Sequence, residues 1–179
     1  MRAIALGIIG LMALWGAGPA LAQVRDEAVP MAVVQSVDLN RYLGRWYEIA
    51  RFPNRFEKGC QDVTADYGQR DDGRISVVNT CVKDGVSEAI AGQAWVVGPG
   101  QLKVTFVPWL GSLAAGDYWV LHLESDYSMA VVGAPSGSFG WILSREPQLP
   151  PAKMQRALDV FAANGYDTAQ LEIVVQSDR

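Results

Sequence analysis

Apolar and polar residues alternate along this chain in short runs divided by turn residues. In 102–106 (LKVTF), Leu102, Val104 and Phe106 share one face, and Lys103 and Thr105 take the other. In 63–67 (VTADY), Val63, Ala65 and Tyr67 oppose Thr64 and Asp66. Ile90, Gly92, Ala94 and Val96 fall together on one side of the next such run but one. A period of two marks a half-buried strand, because successive side chains leave opposite faces of the backbone. The runs are 45–52, 62–69, 74–82, 88–97, 101–107, 117–124, 128–133 and 138–144. Asp71-Asp72-Gly73, Gly98-Pro99-Gly100 and 133–137 (GAPSG) supply tight connections. Eight strands with short links predict an antiparallel up-and-down barrel or a sandwich.

The period changes once. After Pro150-Pro151, Met154, Leu158 and Phe161 recur at helical spacing, and Gly165 stops the pattern. One helix is expected over 152–164, followed by a last strand in 170–176 (QLEIVVQ). In a barrel, the small inward residues Ala65, Gly92 and Ala94 leave room. An eight-stranded barrel is just wide enough to be filled by side chains or to hold one small ligand. Both readings stand on the pattern alone.

The start of the chain reads differently. Residues 3–18 are almost wholly apolar behind Arg2, and 19–22 (PALA) offers an A-x-A-like cleavage site. This predicts a secretory signal peptide over 1–22, then a loose leader over 23–37 and one domain over 38–179. The alternative is an uncleaved anchor, for which the run is short. Residue 23 is Gln, so the cysteine that accepts a bacterial lipoprotein anchor is absent. Loss of Arg2 takes the formal charge from −4 to −5. A mildly acidic chain without Lys/Arg runs argues against nucleic-acid binding.

Export also bears on the cysteines. Cys60 and Cys81 both lie in the mature part, and an oxidising compartment favours a disulfide between them. Two Cys and one His (His122) are a poor zinc set, and neither metal nor cofactor is expected.

Three stretches then line up in order. Gly44-Arg45-Trp46-Tyr47 opens strand one, Ser125-Asp126-Tyr127 joins strands six and seven, and Arg145 ends strand eight in Trp141-Ile-Leu-Ser-Arg145-Glu-Pro147. Together they resemble the signature motifs of the lipocalins. With GRWYEIARFPNRFEKG and the DDG hairpin, the resemblance is closer to bacterial Blc-type lipocalins and apolipoprotein D, over about 38–176. It implies a closed barrel with the helix packed outside. Gly44, Trp46, Tyr47, Asp126, Tyr127 and Arg145 would then be structural, gathered at the closed end with Arg145 stacked on Trp46. The family also implies a carrier of fatty acids or lysophospholipids in the periplasm or at the outer membrane, serving membrane maintenance or storage. Ala65, Tyr67, Val77, Ile90, Ala94, Val104, Phe106, Tyr118, Val120 and Trp141 are the expected ligand-binding residues. Trp109, Leu110 and Leu113 would sit in a rim loop that either folds back on the barrel or offers a greasy lip for transient membrane contact.

Two other functions are weighed beside the carrier. An enzyme on the same fold would need a nucleophile, and here both cysteines are better used as a pair. His122 shares the alternation of Tyr118 and Val120 and is expected inward near the floor. Ser125 and Ser128 are near it, but no G-x-S-x-G elbow exists. The other alternative is a filled barrel serving as an interaction module. The oligomeric state is left open.

Overall fold

The computed structural model describes residues 24–177, so the expected signal peptide lies outside the described residues. Eight strands form the barrel: β1 (Gly44–Arg51), β2 (Gln61–Gln69), β3 (Ile75–Lys83), β4 (Val86–Gly98), β5 (Gln101–Thr105), β6 (Gly116–Leu123), β7 (Met129–Gly133) and β8 (Gly140–Ser144). Each pairs antiparallel with the next, and β1 pairs with both β2 and β8, which closes the sheet. Closure satisfies the edges that an open sheet would expose. A short helix, α1 (Leu39–Tyr42), crosses the closed end before β1, with Asp38 capping it by accepting from the Asn40 N–H. The main helix, α2 (Pro151–Ala163), packs outside, burying Ala157 and Phe161.

Two cores result from the alternation. Inside the barrel, Trp46, Tyr67, Ile75, Val77, Ala94, Leu102, Tyr118, Val120, Val132 and Leu143 pack together. Between the barrel wall and α2 lie Ile49, Ala50, Phe52, Leu121, Met129, Val131, Ile142 and Phe161. Trp46 and Tyr47, neighbours in sequence, divide between them: Trp46 goes to the inner core and Tyr47 to the outer.

The segment expected to be a loose leader is fastened down. The buried Arg25 donates to the backbone oxygens of Asn164, Pro135 and Val29. Ala32 N–H bonds Asn164 Oδ1, and Val34 N–H bonds the Val120 carbonyl. The Asn164 carbonyl at the end of α2 therefore receives a cation from this segment.

The last strand is shorter than expected. Only Glu172–Ile173 (β9) pairs with β1. Beyond it the Val174 N–H still bonds the Ile49 carbonyl of β1, and the chain then reaches β2, where the Asp62 N–H bonds the Val175 carbonyl and Gln176 Nε2 bridges Glu48 O of β1 and Val63 O of β2. The amide side chain takes the place of a continued ladder. Val63 is buried, but with Cys60 and Val174 and apart from the inner core.

Cys60 and Cys81 are bonded, with Cα atoms 5.4 Å apart. The register Tyr67↔Val77 slips between Gln61 and Thr64, with Asp62 at φ 49°, and this bulge brings Cys60 across to Cys81. Closing that loop stabilises by roughly 3 kcal/mol on chain entropy. Reduction should lower the urea midpoint by a matching amount, and an unchanged midpoint would show that the bond adds nothing.

Candidate functional site

The barrel interior is stratified, and its layers follow from which residues face inward. At the floor, Trp46 is fully buried and its Nε1–H donates to the Tyr42 carbonyl at 2.8 Å. The Arg145 guanidinium lies 3.9 Å above the indole centroid. It also donates to the carbonyls of Arg45, Arg41, Tyr42 and Leu43 at 2.6, 2.7, 3.1 and 2.9 Å. Gly44 has φ 90°, a left-handed conformation that glycine adopts without penalty. Tyr127 receives the Asp38 N–H on its hydroxyl and the Arg41 guanidinium on its ring. Asp126 instead caps its own turn, accepting from Ser128 N–H and Oγ–H, with Lys153 4.0 Å away.

Above the floor sits a layer of tyrosines. Tyr67 and Tyr118 hydroxyls are 3.0 Å apart, and Tyr118 and Tyr42 hydroxyls 2.7 Å. Burial raises the pKa of all three, that of Tyr67 to about 12, so they stay neutral hydrogen-bonding groups. Rings continue upward from here. Tyr118 stacks with Trp141, Trp141 with Phe139, and Phe139 with Phe56 at the rim.

Near the mouth the wall carries charge. The register of β1 slips between Glu48 and Ala50. Glu48 pairs with Leu143, which faces the inner core, and Arg51 pairs with Trp141, which does the same. The bulge therefore turns both charged side chains inward while Ile49 and Ala50 join the outer core. Arg51 Nη1 donates to Glu48 Oε1 at 2.9 Å, and its Nη2 donates to the Cys60 carbonyl at 3.2 Å. Glu57, from the loop between β1 and β2, reaches into the same space. Its Oε2 accepts from Trp141 Nε1 at 3.1 Å and from Asn54 Nδ2. Burial, and next the neighbouring Glu57 carboxyl, push the Glu48 pKa well above the usual range against the opposing pull of Arg51. Two strands round the barrel from β1, Asn79 shares the inward row of Ala65 and Ile90, and its Oδ1 is buried without a hydrogen-bond partner.

The residues expected to bind ligand divide by height. Tyr67, Val77, Ala94, Tyr118 and Val120 are buried in the packed lower half. Ala65, Val104, Phe106 and Trp141 face the interior yet remain partly exposed, and Ile90 is 52% exposed. Gly92 does not simply leave a void. A Cβ there would lie 2.7 Å from the Phe106 ring, so the glycine is where that ring rests. At the mouth, Trp109 and Leu113 are 82% and 93% exposed in a 3₁₀ stretch over Pro108–Ala114, and Leu110 is exposed beside them. The loop does not fold back onto the barrel.

His122 departs from expectation. A bulge between Val120 and His122 places Leu121 in the outer core and pairs His122 with Val131, which is also outside. Its Nε2 lies 3.4 Å from Glu124 Oε1, which Arg156 of α2 also contacts. The imidazole is therefore on the outer wall, remote from the interior. Glu48, Arg51, Glu57, Asn79 and Tyr42 were not among the expected residues. Alternation from Trp46 alone points Glu48 inward, but Arg51 is brought in only by the bulge.

Comparison with known proteins agrees with this architecture. The family model of the Lipocalin-like domain matches residues 37–176. Temperature-induced lipocalin-1 of Arabidopsis thaliana is 39% identical over 85% of this chain and 86% of its own. Outer membrane lipoprotein Blc of Escherichia coli is 37% identical over 82% and 83%. Apolipoprotein D of Mus musculus is 32% identical over 82% and 80%. Among solved structures, insecticyanin from Manduca sexta superposes with a TM-score of 0.65 over 83% of this chain and 86% of its own, at 22% identity, a likeness of fold. A closed eight-stranded barrel, a Trp–Arg floor and an outer helix over this matched span place the chain in the lipocalin family.

Proposed function

We propose that the protein binds single acyl-chain lipids, fatty acids or lysophospholipids, in the upper half of its barrel and carries or stores them in the bacterial envelope. The observation that supports this most is the gradient of burial along the inward face. Side chains below the tyrosine layer are packed, whereas Ala65, Ile90, Val104 and Phe106, equally inward, keep exposed surface. Apolar walls that water still reaches favour an acyl chain by roughly 0.8 kcal/mol per buried CH₂. The exposed Trp109, Leu110 and Leu113 would touch the membrane while ligand is exchanged. A role without catalysis fits the absence of a free thiol among the described residues and the outward placement of His122. Export to the periplasm, without a lipoprotein cysteine at residue 23, completes this reading.

Native mass spectrometry of protein purified without detergent from its own host tests it. Adducts that solvent extraction releases as acyl lipids are expected. An unliganded mass that stays unliganded with micromolar laurate or lysophospholipid would overturn the carrier reading.

A further inference from the structure

Arg51 is the cation that the β1 bulge turns into the barrel mouth, and it is already engaged. Its side chain is 6% exposed, paired with Glu48 at 2.9 Å and the Cys60 carbonyl at 3.2 Å, with Glu172 4.0 Å from its Nε. Glu57 leans in from the rim loop beside Glu48, although Arg55, Phe56 and Lys58 around it point to solvent. The groups that face Glu48 are thus Arg51 from β1, Glu57 from the rim loop and the Tyr67 phenol from β2. From β8 it meets Leu143, which brings no charge. An arriving carboxylate would find two carboxyl groups and no unpaired cation there. On the wall, the buried Asn79 Oδ1 lacks a donor and can accept from one. Burying a carboxylate unpaired is costly, and burying a donor against an unsatisfied acceptor is favourable.

We propose that Glu48 and Glu57 act as a charge filter at the barrel mouth. Glu48 occupies Arg51 and so denies it to an anion, and Glu57 sets a second carboxyl beside Glu48. The barrel then favours an acyl-chain ligand whose inserted polar end donates hydrogen bonds and carries no negative charge, such as a hydroxyl, amide or amine. The proposal rests on the carrier reading and names the ligand chemistry within it. A fatty acid would have to keep its carboxylate above Glu57, towards solvent.

Laurate and dodecanol share a chain length and differ in that end. Their affinities are measured by calorimetry at pH 7.5, below their micellar concentrations. The comparison runs across the unmodified protein, Glu57→Gln, and the double variant Glu48→Gln/Glu57→Gln. Laurate binding should strengthen at least threefold in Glu57→Gln and at least tenfold in the double variant, where Arg51 becomes available. Dodecanol should move less than threefold. Glu57 is half-buried in the rim loop, outside the strands, so Glu57→Gln keeps the test open should the double variant fail to fold. Equal changes for the two ligands, or none for laurate, would overturn the filter and leave the carrier standing. Failure of both ligands to bind the unmodified protein would instead remove the carrier reading, and the filter with it.

Discussion

Val104→Asp should weaken acyl-lipid binding by orders of magnitude, while Lys103→Asp leaves it nearly unchanged. Val104 sits on β5 opposite Ala94 and Gly116, packed at its base against the inner core and partly exposed above. A carboxylate there lies beside the acyl chain with no partner, or must take up a proton, at about several kcal/mol. Lys103, one residue along, faces outward and pairs with Asp117 at 2.8 Å on the surface. Reversing that charge loses an exposed pair, an effect of about 1 kcal/mol or less on stability. Titration with a single-chain lipid, with circular dichroism to confirm folding, reads both variants. Equal losses from the two would contradict the assignment of β5 faces.

Arg145→Ala should cost the fold roughly 3 kcal/mol, since it removes a charged donor from several backbone carbonyls and a cation from the Trp46 ring. Those carbonyls belong to residues 41–45, the turn that carries the chain from α1 into β1. Without the guanidinium they are left half-solvated at the closed end, and the indole loses its cover. Denaturant unfolding followed by Trp fluorescence measures the loss. Lipid affinity of the folded variant should hold. Affinity that collapsed at unchanged stability would make Arg145 a ligand contact and not a floor residue.

Much of this architecture is legible in the sequence because half of the barrel strands, β3 and β8 among them, alternate without interruption. Along β5 and the residue after it, Leu102, Val104 and Phe106 face inward as their spacing requires. The cysteine pair is legible from compartment and hairpin position together. What alternation misses are the bulges. One extra residue at Ile49 brings Arg51 into the barrel, and one at Leu121 puts His122 outside it. Neither Ile nor Leu announces a bulge, because both are ordinary strand residues that simply gain a second outer-core position. The small residues carry a similar ambiguity. Gly92 reads as empty space in the sequence, yet a neighbouring strand fills it with the Phe106 ring. The segment 170–176 has strand composition, but its later residues cross to β2 and use Gln176 as a surrogate backbone.

The Trp46–Arg145 clamp and the exposed mouth lie at opposite ends of one barrel, and this separates what a substitution can damage. Changes at Phe56, Ile90 or Leu113 disturb side chains already half or more in solvent, so under the proposed carrier role they would alter what is bound without loosening what holds the strands together. Changes at the floor do the reverse. On this scaffold, ligand preference could therefore be retuned at the mouth at little risk to folding, while a substitution at the closed end would be felt first as lost stability.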